Sequence, residues 1–404
     1  MPARATRLVY DDAVLATLDW PAARLVVTRG LGSGLTRRAG DPPDVFWAVG
    51  DRGPNLKVAL AIDRYGLDHL RPRRALDGAK VMPCPQIGPA MVQLRLTGDR
   101  VTLVRAVPLT DAAGQALTGL PTPGAPEPAL ALGGTMLPPD PAGADTEGIA
   151  ATGHGFVIGE EYGPSLLHVT ADGQVTARWV PQGSGAHFAH ASYPVVEALP
   201  AIAARRQLNR GFEALAASRD GRSLFLAFQS PLAHPDEATH EAATHVRLWQ
   251  MDAATGRVTG QWLYPLDAPG TFARDVALGT VERSDVKVSE LVVIGDDRLL
   301  ILERASATTK LYAVTLDPAL CVEDDHLDVM KRPTLEEQSA RGDPLPALAK
   351  TLIVSTDDLP EVDGDMEGML VLGPRTLLLV NDNDFGVEGV ATAFWRVELD
   401  ADLF

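Results

Sequence analysis

Apolar residues in this chain come in short runs separated by turn-forming pairs, and few stretches keep a helical period. Runs of that kind, rich in Val, Leu, Phe and Trp, predict strands. Residues 166–169 and 175–180 are split by Ala171-Asp172-Gly173, and residues 246–251 and 258–264 by Ala253-Ala254-Thr255-Gly256. Asp-Gly and Thr-Gly between such runs are hairpin signals. Helix is expected only in inserts, at residues 193–207 and 347–352.

The runs recur on one plan. Asp145-Thr146-Glu147-Gly148-Ile149-Ala150 leads into an apolar run that closes in Glu160-Glu161. Gly211-Phe212-Glu213-Ala214-Leu215-Ala216 leads to Phe228-Gln229, Val288-Ser289-Glu290-Leu291 to Glu303-Arg304, and Asp365-Met366-Glu367-Gly368 to Asn381-Asp382. The leading glutamates are 66 (213−147), 77 (290−213) and 77 (367−290) residues apart. A weaker first copy, residues 30–35 and 45–50, closes in Asp51-Arg52 and lacks the leading acid. Each copy reads as four strands, so the predicted fold is all-β: a β-propeller of four-stranded antiparallel blades. Five blades are counted, with six possible because residues 53–144 have room for another. Residues 1–404 are read as one domain, closed as a ring between its N- and C-terminal strands, the segment from Leu15 to Val27 completing the last blade. The alternative is two unrelated β-sandwiches.

Composition agrees. With 37 Gly, 31 Pro and only 5% aromatic residues in 404, turns are plentiful. The net charge of −17, from 53 acidic and 36 basic residues, argues against nucleic acid and anionic membrane surfaces as partners. Cys84 and Cys321 lie too far apart for a CxxC site. No apolar run approaches the ~18 residues of a membrane span. The N-terminal residues carry no apolar leader core, so the expectation is cytoplasmic, with a periplasmic or secreted protein, its leader removed, as the alternative.

One acid per repeat is the candidate chemistry. The first strand of a propeller blade lies nearest the axis, so Glu147, Glu213, Glu290 and Glu367 are expected to converge there, with Asp51 and Asn381 close by. Converging carboxylates raise one another's pKa unless a cation or a base neutralises them. Oxygen ligands from several segments suit Ca²⁺ better than Zn²⁺. Arg52, Arg210, Lys287 and Arg304 stand in or beside the motifs, placed to hold a small anionic ester substrate, and Glu160 or Glu161 is the expected general base. The plainer alternative is that the glutamates cap turns and pair with those bases, binding no ion. Asp363, Asp365 and Glu367 imitate an EF-hand loop, but its closing acid would fall on Pro374. His234, His240 and His245 lack the HExxH spacing, and no GxSxG elbow, P-loop or dinucleotide fingerprint is present.

At these residues the chain resembles the phytase-like family, described as having esterase-like activity of phytase. The resemblance rests on Asp145-Thr146-Glu147-Gly148-Ile149-Ala150, Gly159-Glu160-Glu161-Tyr162-Gly163-Pro164-Ser165, Asn209-Arg210-Gly211-Phe212-Glu213 and Gly50-Asp51-Arg52-Gly53-Pro54, and runs from about residue 25 to 399. It implies a β-propeller and a metal-dependent hydrolase of phosphate or other esters, by relation to calcium-dependent propeller phytases. It transfers no catalytic set residue by residue. Two other functions stand beside it: a propeller that binds a cation or small ligand without catalysis, and a lactonase resembling the gluconolactonase and paraoxonase propellers.

Overall fold

The computed structural model describes residues 3–404. Five sheets of four antiparallel strands follow one another along the chain. Their inner strands are Gly34–Thr36, Thr146–Thr152, Phe212–Ala217, Lys287–Val293 and Met366–Gly373. Each inner strand contacts the next, and the fifth contacts the first. The arrangement is propeller-like. The second sheet gains a fifth strand, Val195–Leu199, parallel to Val175–Pro181.

Packing between the sheets explains why the second strands read as unbroken apolar runs. Side chains alternate across a strand, so both faces must be apolar when both are covered. In Arg298–Arg304, Leu299 and Ile301 pack toward the third sheet, while Leu300 and Leu302 pack toward the fifth. The same alternation builds one buried cluster between each neighbouring pair of sheets. The cluster of Leu35, Phe46, Leu378 and Phe394 joins the fifth sheet back to the first.

Several expectations change. The fifth sheet is completed by Ala3–Arg7, which pairs with Phe394–Leu399. The segment from Leu15 to Val27 instead lies in a separate hairpin of Val14–Asp19 and Arg24–Thr28. Residues 193–207 form a strand and a 3-10 turn rather than a long helix, and Lys350–Ser355 is the outer strand of the fourth sheet. Both segments carry apolar residues whose period was too short to separate the two states. Residues 53–144 supply the last two strands of the first sheet, a short helix Val58–Asp63 and a small three-stranded sheet. Among the described residues they add no sixth four-stranded sheet.

One irregularity recurs at the inner ends of the sheets. Phe212 pairs with Phe228 and Ala214 with Ala227, which leaves Glu213 unopposed. Met366 pairs with Asn381 and Gly368 with Val380, leaving Glu367. Thr146 pairs with Glu160 and Ile149 with Ile158, so Glu147 and Gly148 face a single residue. In the fourth sheet Val288 pairs with Glu303 and Glu290 with Leu302, so the unopposed residue is Ser289. In the first, Ser33 stands between Gly32, whose N–H donates to Val49, and Gly34, which pairs with Val49. These are β-bulges, which turn an extra side chain out of the ladder.

Candidate functional site

Three of these bulges, at Glu147, Glu213 and Glu367, open onto a cavity of about 740 Å³. Glu147, Glu213 and Glu367 line it, and oxygens of these three carboxylates lie within 4.8 Å of one another. Oxygens of Asp51, Asp145 and Glu147 form a second such group. Glu290 is absent from both. It stands one residue past the bulge, and a one-residue slip sends a side chain to the other face. There it is fully buried and accepts from the N–H groups of Leu35 (3.0 Å) and Leu291 (3.1 Å). Glu290 therefore ties inner strands together and does not join the expected metal set.

Guanidinium groups hold the cluster from two sides. Arg52 is almost fully buried, with Nε 3.0 Å from Asp51, Nη2 paired with Asp145, and Glu127 at 3.7 Å. Nη2 also donates to Asn209 Oδ1 at 2.8 Å, and the guanidinium stacks 4.8 Å from the Tyr162 ring. Arg304, equally buried, pairs with Glu367 and with Asp365 (2.8 Å), stands 3.9 Å from Glu213, and donates to Ser289 Oγ. Both arginines were expected to grip substrate. The structure commits them to neighbouring carboxylates, although both still touch the cavity wall.

Arg210 and Lys287 are different. Both line the cavity and are half-buried, and among the described residues neither makes an ion pair. Burial lowers the pKa of Arg210 and, with Arg304 and Arg210 nearby, brings Lys287 down to about 7.

The two adjacent glutamates that close the second sheet's second run part company. Glu160 is sealed in the protein, paired with Arg178 at 2.8 Å and accepting from Ser165 Oγ at 2.9 Å and Tyr162 N at 3.0 Å. It does not reach the cavity, and the expectation of a base at Glu160 is corrected by that network. Glu161 does line the cavity. One of its oxygens accepts from Gly211 N at 3.1 Å, and the other has no hydrogen-bond donor. Burial, reinforced by the Glu213 carboxylate, raises its pKa to about 7. Burial likewise lifts Glu147 well above the carboxylate range, with Glu161 and Asp145 adding to it. Burial works against ionisation of Asp51 too, yet Arg52 brings it down to about 2. Asn381 touches the wall, but its amide is engaged with Ala391 O (3.1 Å) and Ala393 N (2.7 Å), which weakens it as a ligand.

Asp145, Asp365 and Asn209 join the site although the sequence motifs that contain them single out other residues. The signal for the first two was an Asp two places before Glu147 and Glu367. Asn209, Asp365 and Asp384, all on the cavity wall, have left-handed backbones with φ of 53°, 52° and 45°. Such conformations cost energy for residues other than Gly and gather at functional sites.

The carboxylates fit a hard cation. Glu213 Oε2 and Asp145 Oδ1 are buried without a hydrogen-bond donor, and all-oxygen donor sets are those that Ca²⁺ takes. What the fold and site define is a propeller-like protein with an acidic, cation-suited axial cavity. The model of the phytase-like family, described as esterase-like activity of phytase, matches residues 28–385, and the chain belongs to that family. It is also 25% identical over 295 residues to an uncharacterized secreted protein of Arthroderma benhamiae, covering 65% of this chain and 54% of that one. The chain thus spans about half the length of that relative. Among solved structures, it is similar to an oxidoreductase described as a glucose dehydrogenase from Thermus thermophilus (13% identity, 98% of this chain and 100% of that one, TM-score 0.35). A PQQ-bound aldose sugar dehydrogenase from Streptomyces coelicolor is similar at 9% identity, with 99% of each chain covered and a TM-score of 0.34. No helix among the described residues is long and apolar enough to cross a membrane.

Proposed function

We propose that the protein is a five-bladed propeller hydrolase of phosphate esters, acting at the axial cavity with a hard divalent cation, most simply Ca²⁺. The observation that carries this reading is Glu161: buried, with one free oxygen and a pKa of about 7, beside carboxylates suited to a cation. Glu147, Glu213 and Glu367 would hold the cation, which when bound supplies Lewis-acid polarisation of a phosphoryl oxygen.

The chain's own residues account for the rest. Among the described residues Arg210 and Lys287 carry no carboxylate partner, so they can meet an anionic ester, Arg through paired hydrogen bonds and Lys as a compact charge. A phosphate dianion beside Lys287 favours its protonated form, opposing the desolvation that lowers it. Glu161, ionised in about half the molecules near pH 7, takes the proton from the attacking water. A base whose pKa lies near the working pH combines availability with driving force.

Turnover of a phosphomonoester by wild type, Glu161→Gln and Arg210→Ala, with and without Ca²⁺, tests the reading. Loss of a general base lowers the rate about 10²–10⁴-fold. Wild-type protein that binds Ca²⁺ but is inert on phosphate esters, carboxylic esters and lactones would leave a binding function instead. Kinship with a secreted relative agrees with an exported protein, and periplasmic or culture-fluid fractionation of the native host decides it.

A further inference from the structure

The two carboxylate groups at the cavity share one member, Glu147, and Asp145 of the second group is sealed just behind the wall. Each has its own guanidinium. Around Arg52 stand Asp51, Asp145 and Glu127, at 3.0 Å, in contact, and 3.7 Å. Around Arg304 stand Asp365, Glu367 and Glu213, at 2.8 Å, in contact, and 3.9 Å. Ten acidic residues line the cavity against seven basic ones, and Asp145 and Glu127 behind the wall widen the acidic excess from three to five. Buried charge of one sign is costly unless matched.

The unmatched atoms lie where ligands would be needed. Asp145 is fully buried, and its Oδ1 has no hydrogen-bond donor, while Oδ2 faces Arg52. Glu213 is 1% exposed, and its Oε2 also lacks a donor. Glu147 stands between the two groups and accepts no side-chain hydrogen bond among the described residues. A carboxylate with two free oxygens can serve one cation with each.

We propose that the cavity holds two divalent cations, one at Glu147, Glu213 and Glu367 and a second at Asp51, Asp145 and Glu147, with Glu147 bridging them. The first site rests on the functional reading above, and the second is a site of its own, with Asp145 as its innermost ligand. Two dications offset most of that excess, whereas one leaves the second group without a counter-ion. Arg52 and Arg304 then act as fixed counter-charges that set how many cations the cluster needs.

Equilibrium dialysis of chelator-treated, full-length protein against Ca²⁺ at pH 8, read by elemental analysis, tests it. Wild type is expected to retain two equivalents, Asp145→Asn one and Glu213→Gln one, while Glu147→Gln weakens both. One equivalent in wild type, unchanged by Asp145→Asn, overturns the second site and leaves the first. No bound calcium in wild type overturns both this inference and the metal reading beneath it. The wild-type stoichiometry decides even if a variant fails to fold, and circular dichroism identifies any that does.

Discussion

Glu161 carries its functional poise as a stability cost. Its pKa rises from an ordinary 4.5 to about 7 on folding, so the folded state holds the proton where the unfolded chain has lost it. Below about pH 4.5 both states are protonated and nothing is lost. Between 4.5 and 7 the penalty grows with pH, and above 7 it is complete. Metal-free Glu161→Gln is therefore expected to match wild type near pH 4.5 and to exceed it by roughly 3 kcal/mol at pH 8. Urea denaturation at the two values checks this, and a variant less stable than wild type at pH 8 would refute the assigned environment. Glu160, one residue earlier, is committed to a buried ion pair instead. Removing one partner of a buried pair leaves the other uncompensated, so Glu160→Ala is expected to cost roughly 3–5 kcal/mol through stranded Arg178. Two adjacent glutamates look alike in the sequence because strand alternation, not composition, decides which one meets the cavity.

At the scale of the strand, the bulge separates ligands from girders. The repeat was legible because each copy has the same apolar runs, and three of its four glutamates meet as that repeat predicts. The fourth could not be placed from spacing. Glu290 and Ser289 are neighbours, and only the pairing of Val288 with Glu303 and of Glu290 with Leu302 tells which one bulges. The expected outcomes differ accordingly. Glu290→Ala strips acceptors from two buried N–H groups, each worth about 1–3 kcal/mol, and leaves Ca²⁺ binding intact. Glu213→Ala lowers Ca²⁺ affinity and spares the metal-free protein's stability. Denaturation in EDTA and calcium titration of both variants read the two effects separately. The site lysines and arginines were harder still to sort, since partnership depends on which acid each one reaches in space.

For the molecule as a whole, cation binding links to stability by mass action. Calcium at a hundred times its Kd adds about 2.7 kcal/mol for one site. In a chain of 404 residues that corresponds to a rise in melting temperature of roughly 3 °C over an EDTA sample. Calorimetry at pH 8 checks it, and identical melts would argue for a cluster balanced by its own arginines. The shift should shrink as pH falls below 7, because carboxylates lifted by burial, Glu147 and Asp145 among them, must lose protons to ligate.

The pairing of Ala3–Arg7 with Phe394–Leu399 also sets a calendar for the molecule's assembly. Ala3 meets Leu399, 396 residues later (399−3), so this early segment is among the last to find its partner. While synthesis proceeds at ~5–20 residues per second, the sheets built from local hairpins have time to form in sequence. The N-terminal segment waits, and until it docks Phe394–Leu399 presents an open edge of the kind that recruits other chains. Contacts this remote in sequence are slow to form. Refolding is thus expected to show a late phase reported by Trp395, next to the docking strand, and a chain lacking residues 1–8 should lose that phase and aggregate.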